Sequence, residues 1–335
     1  MNITSFGDMA HNVFLRNRTA ELKENLGTLT QELSTGKASD LNQRLGGDFT
    51  YLSDIERNLS RLESYKISAT ESSLFASSAQ SFIAKIDSNA GALSDDILAT
   101  TGATNDNTTN LLSGQSRLYL EESIRALNGQ AAGRSLFAGT ATSAVPLADV
   151  DTLMSNLVTE VSGLTTAADI ITEVKAWFAD PTGFDAIMYQ GSTTSMSSVN
   201  VGPNEQVDIS LRADDEDFKQ AMQSFAIGAL ATEPGLVLTV GVKGDLLAGS
   251  GTELLETRNR LTNVQADLGF TESRIEEAAI RNAAAMTSLS LTLNELTQAD
   301  PFETATRLEE TQFQLEALYS VTARSSQLSL LRYMS

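Results

Sequence analysis

Residues 15–33, LRNRTAELKENLGTLTQEL, place leucine at 15, 22 and 29, with Leu26 and Leu33 interleaved at 4-residue steps. Residues 254–275, LLETRNRLTNVQADLGFTESRI, do the same with Leu254, Leu261, Leu268 and Ile275, and Val264 lies between them. Apolar residues at 3- and 4-residue steps form a stripe along a helix that is unstable in water without a partner helix. Pro146, Pro181, Pro203 and Pro234 all fall between these two blocks. The pattern predicts that the two ends pair and that the proline-bearing middle forms a separate domain. The fold class is mainly α with a small α+β insertion: an antiparallel long-helix rod of paired N- and C-terminal segments, with a projecting outer domain.

Working outward from residue 15, the spacing predicts a helix over about 9–33, ended by Ser34-Thr35-Gly36-Lys37, where glycine suits a left-handed C-cap. Leu52, Ile55, Leu59 and Leu62 open a second long helix to about Leu98. A Thr-, Asn- and Gly-rich loop is expected from Thr100 to Asn110. Leu120, Ile124, Leu127 and Ala131 then mark a third helix. In the middle, 152–164 and 165–178 read as helices. Ser197–Val201 and Gln206–Leu211 read as a hairpin around Pro203-Asn204, and Leu236–Val242 as a further strand. Asp214-Asp215-Glu216-Asp217 precedes Phe218, Met222 and Phe225, so it is expected to cap a helix N-terminus. Residues 252–297 predict one helix of about 70 Å at 1.5 Å per residue. Asp300-Pro301-Phe302-Glu303 is a restart signal, with Asp at N-cap, Pro at N1 and Glu at N3. It opens a last helix carrying Leu308, Leu315, Leu318, Leu328 and Leu331. The domain boundaries expected are 1–44 with 298–335 (terminal assembly helices), 45–139 with 249–297 (helical rod) and 140–248 (outer α+β domain).

Composition narrows function. The 335 residues carry a formal charge of −20, which phosphate backbones and anionic lipid surfaces repel, so nucleic acid and membrane insertion are not expected. Cysteine is absent, which removes disulfides, thiol catalysis and thiolate metal sites. The first residues lack a basic segment followed by an apolar one, so no Sec signal peptide is expected. No run approaches the roughly 20 apolar residues of a membrane span.

No catalytic, cofactor or metal site is expected. His11 is the single histidine and has no ligand-spaced companions. Gly36-Lys37 is followed by Ala38, and Gln31 stands where a phosphate loop needs its first glycine. The acidic group at 214–217 lacks the alternating spacing and glycine of a calcium loop. The terminal seams are the candidate functional surface: Leu15, Leu22, Leu26, Leu29 and Leu33 at one end, Leu308, Leu315, Leu318, Leu328 and Leu331 at the other.

With these residues in view, the chain resembles the flagellins and their relatives. Leu33-Ser34-Thr35-Gly36-Lys37 is similar to that family's N-terminal box. Asn128 followed by Gly133-Arg134-Ser135-Leu136-Phe137-Ala138-Gly139 is similar to its Asn…Gly-Arg-x-Leu-Phe-x-Gly segment. Tyr189-Gln190-Gly191 and the ending from Asp300 through Leu331 resemble the hook–filament junction branch, the hook-associated protein 3 type. The segment Ala38-Ser39-Asp40-Leu41-Asn42-Gln43-Arg44 departs from the paired-Asp stretch of many members. The resemblance implies a non-enzymatic, extracellular flagellar component without cofactors, exported through the type III channel. It also implies partners: copies of itself in a ring, an adjacent hook-associated protein, flagellin and an export chaperone. Filament flagellin is the alternative; a non-flagellar secreted coiled-coil protein or a hydrolase with its site in 140–248 is the second.

Overall fold

The computed structural model describes residues 4–100 and 105–334, with side chains described for residues 9–100 and 105–324. The chain divides into two compact units, one made of residues 1–61 and 284–335, the other of residues 62–283.

The first unit is built on α1 (Thr4–Thr35) and α10 (Pro301–Met334), which pack along each other. Between them in sequence come the short α2 (Leu41–Leu45) and the first turns of α3 (Thr50–Thr100); the end of α9 (Val240–Thr297) completes the unit. The punctuation is that expected. Gly36 takes φ 69° and its amide bonds Glu32 O at 2.8 Å, closing α1. Asp300 Oδ1 accepts from the Phe302 and Glu303 amides at 2.9 and 3.1 Å, and Pro301 occupies N1, where no amide hydrogen is needed.

The second unit has its own core. α4 (Asp106–Leu127), α5 (Val150–Glu160), α6 (Ala167–Ala179) and α8 (Glu216–Leu230) pack together, with the short α7 (Phe184–Ile187) against α6. α8 is buried on every face from Ala221 to Leu230, and the two polar side chains in that span, Gln223 and Ser224, donate to Gln220 one turn back. Small residues let its neighbours approach. A Cβ at Gly228 would lie 2.5 Å from Ser116 Oγ, and Ser250 Oγ donates to Ser224 O at 2.7 Å. Aromatic edges fill the rest. Phe137 sits 5.5 Å from Phe218 and 6.5 Å from Phe82, and Trp177 meets Phe178 edge-on at 5.3 Å.

Two small antiparallel sheets complete this unit. β1 (Gln130–Ala131) pairs with β2 (Arg134–Ser135) through a turn in which Ala132 and Gly133 both have positive φ. β3 (Val199–Gly202) pairs with β4 (Glu205–Val207) around Pro203-Asn204, Asn204 taking φ 59°. Val201 and Val207 are buried against Ala69 of α3 and Ile275 and Ala278 of α9.

Several local expectations need correction. The third helix stops at Leu127, and Ala131 is in β1, because the chain turns at Gly129, where a Cβ would lie 2.5 Å from Phe82. Of the loop expected from Thr100 to Asn110, residues 101–104 lie outside the described residues, Thr100 is the last residue of α3, and 106–110 belong to α4, which Asn105 caps by accepting from the Thr108 amide. The second hairpin arm stops at Val207 rather than Leu211. Leu236–Val242 is not a strand: the chain is irregular to Thr239, and Val240 opens α9, which is therefore longer than 252–297. β-branched residues and glycines at 240–251 read as helix-breaking, but tertiary contact reverses their meaning. A Cβ at Gly251 would lie 2.9 Å from Ile97 Cγ2, and one at Gly249 2.5 Å from Ile171 Cδ1. The glycines admit close packing, which offsets their roughly 1 kcal/mol helix penalty.

Candidate assembly interface

The terminal seams meet as α1 and α10. Leu15 and Leu22 are buried on α1. Leu26 and Leu29 are half-buried, and Leu33 is exposed near the helix end. On α10 the most buried positions are Thr304 and Thr311, each donating or capping locally: Thr311 Oγ1 bonds Arg307 O at 2.7 Å, and the Thr304 amide bonds Asp300 O at 2.9 Å. Leu308, Leu315 and Leu318 are half-buried. The side chains of Leu328 and Leu331 lie outside the described residues. Leu15 and Leu22 are thus covered within the chain itself.

The surface left uncovered is a different set, which heptad counting passed over. Phe302 is 83% exposed and Phe313 72% exposed. They stand eleven residues apart, three helical turns, and so share a face of α10 turned away from Thr304 and Thr311. Val321 on α10 and Met9, Val13 and Phe14 on α1 are also more than half exposed or close to it. Tyr319 is shielded on one side by the Lys23 ammonium, 5.8 Å from its ring centre. The signal for this surface was available: Phe302 and Phe313 are off the leucine stripe and large.

A clasp holds the ends of the helices. Lys37 and Gln298 form an antiparallel bridge. Beside it the Ala38 amide bonds Thr297 O, and the Ala299 amide bonds Gly36 O, both at 2.9 Å. Ser34 Oγ and Thr35 Oγ1 each donate to Gln31 O, and Thr35 Oγ1 accepts from the Lys37 amide. The Leu-Ser-Thr-Gly-Lys box is therefore a helix end built to meet the α9–α10 junction.

The second motif lies in the other unit and is structural there. Asn128 mimics a strand partner: its Nδ2 donates to Leu147 O at 3.0 Å, and its Oδ1 accepts from the Leu147 amide at 2.8 Å. Gly133 supplies the β1–β2 turn, Arg134 lies over the Phe75 ring at 5.1 Å, and Leu136 and Phe137 are buried. Gly139 has φ 58° and nestles against the carbonyls of Ser192 and Thr194. Arg212 ties the same region together, its Nε 2.9 Å from Asp214 Oδ1 and its amide bonding Asp215 Oδ2 at 2.7 Å. Asp215 is the N-cap of α8, but its side chain is turned back to Arg212 and makes no cap bond, so the acidic group favours this helix by charge alone. Burial pushes the Asp215 carboxyl above its usual value, and burial followed by the Asp214 charge pushes Tyr189 up to about 12.

His11 is exposed on α1. Among the described residues no three metal-ligating side chains of the His, Cys, Asp or Glu type come together, and no helix is long and apolar enough to cross a membrane.

Residues 253–334 match the family described as the bacterial flagellin C-terminal helical region. No curated protein matches the sequence. Among the solved structures that share the fold are two flagellar proteins. One, described as a flagellar hook-associated protein from Vibrio parahaemolyticus, matches at TM-score 0.50 and 12% identity, over 73% of this chain and 95% of the other. The other, FlgL from Bacillus cereus, matches at TM-score 0.50 and 12% identity, over 72% of this chain and all of the other. The chain is flagellin-like in that its last helices are similar to the flagellin C-terminal helical region, and it shares its fold with a protein described as flagellar hook-associated and with FlgL.

Proposed function

We propose that the chain is a structural protein of the bacterial flagellum, outside the cell, and that it acts as a junction protein joining hook to filament. The observation that carries this reading is the apolar surface of α10, Phe302 and Phe313 above all, standing uncovered within the region similar to flagellin. Large exposed apolar side chains on a helix that already packs along α1 mark a surface for another subunit. The work is packing: segments 1–44 and 298–335 meet their counterparts in a ring, with a hook-associated protein on one side and flagellin on the other. No chemistry is required, and the protein is read as a non-enzyme. The absence of cysteine suits export as an unfolded chain.

Immunogold electron microscopy with antibody to residues 140–248 tests the reading. A single band between hook and filament is the expected result. Label along the whole filament would make the chain a flagellin, and label on no appendage would remove the flagellar assignment.

A further inference from the structure

The exposed faces of α1 and α10, both in the first unit, are opposite in charge. By helical periodicity Phe302, Glu309, Phe313 and Glu316 fall within about 60° of one another around α10, opposite the buried Thr304 and Thr311. On α1, Arg16, Ala20 and Lys23 share an exposed face in the same way, turned from the buried Leu15 and Leu22. These charges are not used up within the chain. On α1 the ion pair among the described residues is Arg18 with Glu21, and on α10 it is Arg307 with Glu303. Arg16, Glu309 and Glu316 take part in neither, and the Lys23 ammonium meets the Tyr319 ring instead.

The two faces match in spacing. Arg16 and Lys23 stand seven residues apart, as do Glu309 and Glu316, which is about 10.5 Å along either helix. They match in direction as well. The end of α1 meets the start of α10 at Lys37 and Gln298, and Lys23 meets Tyr319 further in, so the two helices run antiparallel within the chain. Copies around a ring point the same way, so α10 of one copy also meets α1 of the next antiparallel. In that direction a single register sets Lys23 against Glu309, Ala20 against Phe313 and Arg16 against Glu316. The small Ala20 side chain leaves room for the Phe313 ring. Pairing α10 with α10 would oppose carboxylates, and pairing α1 with α1 would oppose cations.

We infer that the outward face of α10 docks, in this register, on the outward face of α1 of a second copy. The contact joins two different surfaces, so it is heterologous and passes from copy to copy as ring closure requires. The inference rests on the flagellar reading, which supplies the ring.

Carbodiimide crosslinking of the purified full chain tests it, because the reagent joins a carboxylate to a neighbouring amine and takes up the water released. Equal parts of isotopically light and heavy chain at about 1 mM, the weak end of specific binding, are expected to give a Lys23–Glu309 amide with one isotope from each copy. Arg16→Glu and Glu316→Lys, each alone, are expected to cut that mixed crosslink about tenfold without moving the melting temperature, since both sites are exposed. The double variant, with the pair reversed, is expected to restore it. A Lys23–Glu309 link found only within single copies, or none, would overturn the proposal, as would a double variant that restores nothing. Immunogold label between hook and filament without this crosslink would remove the contact and leave the flagellar reading. The crosslink with no label on any appendage would do the reverse.

Discussion

Arg44 caps the end of α9 from 252 residues away in sequence: its Nε donates to Leu296 O at 2.7 Å, and its Nη2 donates to Glu295 O, one residue earlier, at 3.0 Å. The last carbonyls of α9 have no partner within the helix, and they carry the negative end of its dipole. A guanidinium supplies hydrogen bonds and positive charge together. The arginine sits in α2.

Arg44→Ala is therefore expected to loosen the clasp. The Ala38 and Ala299 amides, which bond across it, should exchange hydrogen faster, with a local loss of about 1 kcal/mol. Hydrogen exchange followed by mass spectrometry reads this directly; unchanged protection at residues 36–38 and 297–299 would count against the cap.

Covered and uncovered apolar residues at the ends should separate folding from assembly. Leu22→Asp places a charge in the α1–α10 seam and is expected to cost about 3–4 kcal/mol, seen as melting of that helix pair. Phe313→Asp, at an exposed site, should leave the melting curve unchanged and abolish incorporation into the flagellum, scored by motility and sedimentation. Full motility with Phe313→Asp would sink the role given to that face.

Gly139→Ala should be costly. The new Cβ would stand 2.5 Å from Thr194 O and 2.6 Å from Ser192 O, at a φ of 58° that L residues rarely adopt. The expected loss is about 3 kcal/mol in urea unfolding, from left-handed strain and overpacking combined.

Asp215 sets a pH dependence. Burial raises its folded pKa above the unfolded value of 3.8. The native state then holds this proton to higher pH than the unfolded state does, so its contribution to stability falls as pH rises through the window above 3.8. Asp215→Asn removes that slope while keeping an acceptor for the Arg212 amide. Urea unfolding from about pH 3 to about pH 6 should show the variant gaining on the parent as pH rises across the window. A constant difference would contradict the burial.

Local chemistry wrote much of this molecule. The 3- and 4-residue leucine steps, the Asp300-Pro301 restart, the Gly36 stop and the Pro203-Asn204 turn each act within a few residues, so they are readable in order along the chain and the structure has them in place. Tertiary contact decided the rest. Gly249 and Gly251 become helical because Ile171 and Ile97 fill the space a side chain would need, and Val240 starts a helix where a strand was expected. α8 is wrapped on all sides because α4, α5 and α6 reach it together. Which apolar residues face a partner helix and which face outward also waited on packing. Periodicity gives the stripe of a helix, while burial depends on what lies against it: the packing of α1 on α10 covers Leu15 and Leu22 yet leaves Phe302 and Phe313 bare.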